Sequence, residues 1–202
     1  MTGILNCAQN LLERTTRPFD FLAPLAMRIY LAPVFIMAGS NKLRHAEYLG
    51  PYFESLGIPA PELMVYVAGL TELLGGIALL AGLAVRWATL PLMFTMLVAA
   101  ATAHWENGWH ALPETELTMP WEWRTDLIEE ANTRKEAARS LLKEHGNYGW
   151  LTETGSITIL KNGIEFAATY FIMLLALLYL GAGRFLSIDY WIARQWRNRD
   201  NC

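Results

Sequence analysis

The chain has 202 residues, of which 53% are hydrophobic and 17% are charged, and its formal net charge is -3. This composition is too apolar for a typical soluble domain and favours a protein that crosses the lipid bilayer several times. The basic residues do not form an aromatic-interleaved patch, so we expect no nucleic acid partner. The two cysteines, Cys7 and Cys202, have neither redox nor metal-ligand spacing.

The hydropathy pattern predicts four transmembrane helices. A helix needs about 20 residues to cross the hydrocarbon core, and four apolar stretches approach that length: residues 21–41, 63–85, 88–105 and 163–183. The first contains Pro33, where we expect a kink rather than a break, because neighbouring helices can satisfy the freed carbonyls. The predicted fold is all-α, a polytopic four-transmembrane-helix bundle that forms a single membrane domain.

Residues 106–162, between the third and fourth spans, form an extramembrane insertion of soluble composition. Apolar residues recur at helical spacing from Asp126 to His145, which predicts one amphipathic helix. Glu130 and Arg134 have the spacing of an intrahelical ion pair. A plain connector of this length is uncommon, so we interpret the insertion as a cap over the bundle or as a surface for a protein partner.

Two further segments are predicted to lie at the membrane surface. Residues 4–15 have a weak amphipathic pattern, and the tail places Trp191 and Trp196 among arginines. An even number of spans puts both termini on one side, which carries most arginines near the span ends: Arg14, Arg17, Arg86, Arg184, Arg194, Arg197 and Arg199. The positive-inside rule therefore predicts cytoplasmic termini and an external insertion.

Two charged residues are predicted to lie within the membrane, Arg28 in the first span and Glu72 in the second. An ionisable side chain at that depth costs about 2.5–3.5 kcal/mol on insertion scales, so it normally faces the bundle interior and has a partner or a function. One interpretation is a buried ion pair between Arg28 and Glu72. The other is that one or both bind a ligand or carry protons.

Other polar residues are predicted to lie at the outer ends of the spans. Lys42 closes the first span, His104 closes the third, and Asn162 and Glu165 open the fourth. At a rise of about 1.5 Å per residue, these groups lie in the same half of the bundle as Glu72. We therefore predict one polar pocket in the outer half of the membrane.

Each of these groups also has a structural interpretation. Under the structural interpretation, Lys42 is a snorkelling cap, and His104 is an interfacial histidine rather than a proton shuttle or a metal ligand. No two histidines have the i,i+4 spacing of a helix-borne metal site, so we assign no metal. Four tryptophans form an aromatic belt or, alternatively, wall a flat quinone-like ligand: Trp105, Trp109, Trp121 and Trp123.

Several short motifs lie in or beside the spans: Arg28 with Gly39 and Lys42, Glu72 to Gly76, Gly82 to Arg86, His104, and Gly181 to Gly183 followed by Ser187 to Asp189. In this combination the chain resembles the DoxX family of small bacterial and archaeal membrane proteins. The resemblance implies a four-helix membrane bundle. It also implies a redox role, because the name-giving relatives are membrane subunits of a thiosulfate:quinone oxidoreductase and others are linked to oxidative-stress defence.

The insertion departs from the short family pattern. Together with the ending KNGIEFAATYFIMLLALLYLGAG, it resembles the HvfX-type branch, which is associated with gene clusters for small metal-binding peptides in metal stress. No flavin, haem or iron-sulfur motif is recognisable. Electrons would therefore pass directly between a bound substrate and a quinone.

We expect a redox-associated inner-membrane protein, a quinone-linked oxidoreductase or a subunit of one. Glu72 and His104 are the expected catalytic residues and handle protons. The expected ligands of the quinone or small substrate are Arg28, Lys42, Glu165, Asn162 and Trp105. The alternative is a non-catalytic membrane scaffold, whose insertion docks a partner such as a metal-binding peptide in metal or oxidative stress.

Overall fold

The computed structural model describes residues 2–112 and 119–200. Cys202 and the side chain of Cys7 lie outside the described part. In chain order the helices are α1 (Thr2–Thr16), α2 (Leu22–Arg44), α3 (Ala46–Ser55), α4 (Pro61–Ala81), α5 (Val85–Ala99), α6 (Asp126–His145), α7 (Tyr148–Leu151), α8 (Glu165–Leu180) and α9 (Ile188–Asp200). A π-helical turn, Ala100–His104, continues α5, and short 3-10 turns cover Arg17–Phe19 and Trp105–Asn107.

Within residues 2–112 and 119–200, three helical segments are long and apolar enough to cross a membrane: Leu22–Arg44, Pro61–Ala81 and Val85–Asn107. They correspond to the first three predicted spans, and α2 runs through Pro33 without a break. The apolar α8 has 16 residues, or about 24 Å, which is shorter than the hydrocarbon core. The all-α membrane fold is thus confirmed, whereas the fourth crossing stays a prediction.

The chain divides into two compact units, residues 1–95 with 170–202, and residues 96–169. In the first unit, α2 packs closely along α4 because glycines lie at the interface. A Cβ on Gly39 would lie 2.5 Å from the Gly69 carbonyl oxygen and 2.5 Å from the Leu73 amide nitrogen. Small residues are the usual means by which helix backbones approach each other in membranes.

The second unit contains the insertion and its helix α6, whose bounds are those predicted from the sequence, Asp126–His145. The expected ion pair between Glu130 and Arg134 is formed. Ile128 and Ala131 are the buried positions of this helix, and most of its other side chains are exposed or half-buried. The helix therefore packs through one narrow apolar stripe, as its weak amphipathic pattern indicates.

The substitution Gly39→Ala should destabilise the first unit by about 1–3 kcal/mol, the usual cost of overpacking. The new methyl group would meet backbone atoms, which cannot rotate away as a side chain would. Thermal unfolding of the full chain in lipid nanodiscs measures the effect. Gly149→Ala is the matched control, because Gly149 is exposed and its new methyl group would have ample space. Equal unfolding midpoints for the two variants would contradict the close packing of α2 and α4.

Candidate functional site

Lys42 and Glu72 form an ion pair between α2 and α4. Lys42 Nζ lies 2.6 Å from Glu72 Oε2, and the side chains are 25% and 4% exposed, respectively. Glu72 lies midway along α4, and Lys42 lies in the last turn of α2. Gly69 allows this approach, because a Cβ there would lie 2.9 Å from a methyl carbon of Leu43 and 3.3 Å from Lys42 Cβ.

Both partners of this ion pair keep unused hydrogen-bonding capacity. In the described part of the chain, Lys42 Nζ is the hydrogen-bond donor to Glu72, and the carboxylate oxygen that accepts from it is Oε2 alone. The second carboxylate oxygen can therefore accept another hydrogen bond, and the ammonium group can donate two more. A carboxylate and an amine that lie together between apolar helices form a candidate binding site for a polar group of a membrane-soluble ligand.

Arg28 is also buried, with 2% of its surface exposed, but its partners are backbone carbonyls. Nε donates to Leu79 O at 2.7 Å, and Nη2 donates to Leu80 O at 3.1 Å. Nη1 donates to Ala182 O at 2.7 Å and to Leu186 O at 3.0 Å. The guanidinium thus uses four of its five N–H groups on carbonyls at the end of α4 and just after α8.

The ion pair between Arg28 and Glu72 that the sequence suggested is not formed. Leu79 follows Glu72 by seven residues, which is about 10 Å along the helix axis, and Glu72 pairs with Lys42 instead. The last four carbonyls of a helix have no intrahelical donor, and the negative end of the helix dipole attracts a cation. These two effects explain why Arg28 lies at the end of α4.

Gly82 and Asp189 complete this structure, which we call the arginine clamp (Arg28, Gly82 and Asp189). Asp189 accepts from the amides of Ala84 at 2.7 Å and Val85 at 3.0 Å, and its own amide donates to Gly82 O at 3.0 Å. Gly82 has φ +66°, and a Cβ there would lie 2.5 Å from Arg28 Nη2. Only glycine therefore fits at the end of α4.

In the second unit, His104 ends the π-helical turn, a rare geometry that is frequent at functional sites. Its Nδ1 lies 2.8 Å from the carbonyl oxygen of Asn162. Because a carbonyl only accepts, Nδ1 carries a hydrogen, and the neutral ring presents Nε2 as an acceptor. A hydrogen bond of this kind fixes the tautomer and orientation of a histidine that exchanges protons or binds a metal.

Two other predicted site residues, Asn162 and Glu165, form hydrogen bonds with the segment from Gly108 to Ala111. The Ala111 amide donates to Glu165 Oε2 at 2.9 Å, and the Ala111 carbonyl accepts from the Asn162 amide at 2.9 Å. Asn162 has φ +63°, so the chain turns sharply there. His104, Asn162 and Glu165 thus belong to one hydrogen-bonded assembly in the second unit.

Trp105 is half exposed and stacks on Trp123, with ring centroids 4.8 Å apart. Trp109 and Trp121 form a second pair at 5.8 Å with perpendicular rings. The four tryptophans are therefore paired within the second unit. Their assignment as a membrane belt or as a quinone wall stays a prediction.

Sequence reasoning missed a buried network in the insertion centred on Glu122. Glu122 Oε2 lies 2.8 Å from His110 Nδ1 and 2.8 Å from Lys161 Nζ, and all three side chains are at most 4% exposed. Burial raises the pKa of Glu122, but hydrogen bonds from Lys161, the amides of Arg124 and Trp109, and His110 outweigh that effect and lower it overall. No sequence signal joins residues that are this far apart in the chain.

The predicted site residues therefore fall into three groups. Lys42 and Glu72 are paired in the first unit, and Arg28 belongs to the clamp in the same unit. The second unit holds His104, Asn162, Glu165 and Trp105. A single pocket that unites them stays a prediction. Among residues 2–112 and 119–200, no group of three or more histidine, cysteine, aspartate or glutamate side chains lies close enough to hold a metal ion.

Arg28→Lys should lower the unfolding midpoint of the full chain in lipid nanodiscs. One ammonium group cannot reach carbonyls on both α4 and the segment after α8, and each buried carbonyl left without a donor costs about 1–3 kcal/mol. Arg134→Lys, on the exposed face of α6, is the charge-matched control and should leave the midpoint unchanged. A midpoint for Arg28→Lys that equals the control would show that the clamp does not stabilise the fold.

The network around Glu122 predicts a pH dependence of the insertion. The folded-state pKa of Glu122 lies below its unfolded value of about 4.3. The ionised Glu122 carboxylate therefore stabilises the folded insertion fully above that pH, and this stabilisation is lost as the pH falls further. Tryptophan fluorescence during urea unfolding, measured between about pH 6 and pH 3, reports this loss. Glu122→Gln should flatten the dependence, whereas Glu129→Gln on the exposed side of α6 should not. The same slope in both variants would contradict this role of Glu122.

The match to a family model covers the first three helical spans. Residues 23–105 match the model of the DoxX family. An uncharacterized membrane protein of Mycobacterium tuberculosis (strain ATCC 25618 / H37Rv) is 34% identical over 76 residues, which are 37% of this chain and 47% of the relative. The chain thus spans about half the length of that curated relative. No solved structure matches the chain.

The family match includes three of the groups described above: the Lys42–Glu72 pair, Arg28 and His104. The insertion and the residues after it lie outside the match, so the assignment to the HvfX-type branch stays a prediction. Apolar helices of spanning length, the family match and the membrane relative agree with one another. The chain is a membrane protein whose residues 23–105 are similar to the DoxX family.

Proposed function

We propose that the protein is a redox-associated membrane protein that binds a quinone, or a small substrate with a similar carbonyl group, at Lys42 and Glu72. The observation that supports this proposal is the ion pair itself, which lies between apolar helices and retains free donors and an acceptor. A quinone is soluble in lipid and carries carbonyl oxygens that accept hydrogen bonds. The ammonium group of Lys42 is a suitable donor to such an oxygen.

Reduction of a quinone to a quinol takes up two electrons and two protons. In this proposal a reduced sulfur compound supplies the two electrons, as the family resemblance suggests, and the Lys42 ammonium group passes one proton to the quinone oxygen. Water supplies the second proton and reprotonates Lys42 by way of the Glu72 carboxylate. A carboxyl group and an amine in contact can pass a proton between them, and neighbouring charges tune such groups for proton transfer. Lys42 and Glu72 thus form the proposed binding and proton-transfer site.

His104 has the proposed role of a second proton-handling group. The Asn162 carbonyl orients its ring, so that Nε2 can take up a proton and release it again. The ring is half-buried, which suits exchange with water. Asn162 and Glu165 then position this assembly rather than bind substrate. Arg28 lies outside the proposed site, because its donors are used on backbone carbonyls.

We also propose a location in the bacterial inner membrane, with both termini in the cytoplasm. The ends of α2, α4, α5 and α8 nearest the arginine clamp carry the arginines Arg17, Arg86 and Arg184. An excess of arginine at one set of helix ends favours the cytoplasmic side. Thiol labelling of single cysteines placed near Arg17 in spheroplasts tests this orientation.

A second candidate function is docking of a protein partner by the insertion. Residues 96–169 form a compact unit of their own, and large apolar side chains such as Trp121 and Trp150 are 54% and 70% exposed there. Exposed aromatic side chains of this size are typical of interaction surfaces. Under this proposal a small metal-binding peptide is the partner. Substitutions at Trp150 would then abolish function in cells, whereas Glu72→Gln would not.

Quinone binding can be tested on purified full-length protein in lipid nanodiscs, by titration with a short-chain ubiquinone analogue. Glu72→Gln should weaken binding at least about tenfold, which corresponds to 1.4 kcal/mol. Glu62→Gln is the matched control on the same helix, because Glu62 is exposed in the first turn of α4. Equal affinity of the two variants would refute the proposed site.

A double variant, Lys42→Met with Glu72→Leu, distinguishes loss of binding from loss of folding. Apolar replacement of a buried ion pair is often neutral or stabilising, so this variant should unfold at or above the wild-type temperature and yet fail to bind the quinone. His104→Gln should retain quinone affinity but slow quinone reduction by a thiosulfate donor, compared with the exposed control His145→Gln. A double variant that folds and still binds the quinone would exclude Lys42 and Glu72 as the site.

A further inference from the structure

A cationic cavity lies beside the start of α2, outside the site discussed above. It is open to the surface, has a volume of about 670 Å³ and is lined by Asn10, Glu13, Arg14, Arg17, Pro18 and Arg184. A second cavity of about 730 Å³ shares Arg184 and also contains Arg86 and Arg197. All these residues belong to the first unit. The two cavities therefore adjoin at Arg184, and the second is lined also by Asp20 and Asp189.

The first cavity has an excess of positive charge. Three of its arginines face a single glutamate, Glu13, which accepts a hydrogen bond from Gln9. Arg184 pairs with Asp20 at 2.7 Å and donates to the Arg17 carbonyl. Neither Arg14 nor Arg17 forms an ion pair within the described residues. Two guanidinium groups thus border the cavity without a carboxylate partner, and this arrangement suits a phosphate.

Exposed apolar side chains lie on the same segment as these arginines, although they do not line the cavity. Leu11 and Leu12, on α1, are 64% and 63% exposed, and Phe19 is 60% exposed. Large apolar side chains in this number are unfavourable in water but suit the boundary between headgroups and acyl chains. A ligand that satisfies both the guanidinium groups and these side chains has a phosphate next to hydrocarbon chains.

We propose that Arg14, Arg17 and Arg184 form a binding site for the phosphate of an anionic phospholipid, in a leaflet whose acyl chains surround Leu11, Leu12 and Phe19. A free phosphate would satisfy the arginines but leave the apolar side chains exposed to water. Lipid binding would hold α1 in the membrane interface and fix the start of α2. This site is independent of the proposed quinone site, because neither Lys42 nor Glu72 belongs to it.

The test uses full-length protein in nanodiscs and spin-labelled phosphatidylglycerol or phosphatidylcholine with identical acyl chains. The wild-type protein should immobilise phosphatidylglycerol several-fold more strongly than phosphatidylcholine. Arg14→Gln with Arg17→Gln should abolish this preference. The control Arg134→Gln with Arg139→Gln, which removes the same charge from α6, should preserve it. An unchanged preference in the first variant, or none in the wild type, would overturn the proposal.

Two further arms separate a lipid from a free phosphate. Soluble glycerol phosphate should not displace the bound phosphatidylglycerol, whereas equal competition would show a site for free phosphate and would overturn the lipid assignment. Leu11→Ser with Leu12→Ser retains every charge and should weaken the immobilisation of phosphatidylglycerol. Full retention by that variant would likewise contradict the proposed contacts with the acyl chains. Because Arg14 and Arg17 are exposed, their substitution should leave the unfolding midpoint unchanged, and this measurement accompanies each comparison.

Discussion

The structure depends on the rule that a polar backbone group within lipid needs a hydrogen-bond partner. Arg28 meets this need where α4 ends and where the chain leaves α8, by donating to four carbonyls from a single planar group. Asp189 meets the opposite need at the start of α5, where amides lack acceptors. Gly82 leaves room for the guanidinium. These three residues connect the end of one span to the beginning of the next and provide partners for several backbone groups of the short turn between them.

The same constraint explains the other buried charges of the first unit. Glycines allow α2 and α4 to approach each other, and this approach brings Lys42 onto Glu72. Each charge then has a partner, although both retain hydrogen bonds for a ligand. In the second unit, the Glu122 network is surrounded by amides and cations on every side. In the described residues, Arg28 and Glu122 each form four or more hydrogen bonds, whereas Lys42 and Glu72 share a single one, and this difference is the reason to place function at Glu72.

Sequence reasoning predicted features that depend on local periodicity or on the cost of burial. Helical spacing and apolar length predicted three such features: the bounds of α6, the pair of Glu130 with Arg134, and the burial of Glu72. It did not predict the partner of Arg28, because carbonyls occur at every position and leave no signal in the sequence. Nor did it find Glu122 with Lys161, which are 39 residues apart. The π-helical turn before His104 likewise depends on the packing of the folded chain rather than on a residue pattern.

The proposed function requires that the ion pair between Lys42 and Glu72 receive a quinone carbonyl. Infrared difference spectroscopy of the protein in nanodiscs, with a quinone labelled by carbon-13 at one carbonyl, detects this contact. A hydrogen bond from the Lys42 ammonium group should shift the labelled carbonyl band to lower frequency on binding. The shift should disappear in the Lys42→Met, Glu72→Leu double variant. A band at the position of the quinone in lipid, or an identical shift in the double variant, would rule out quinone binding at Lys42 and Glu72.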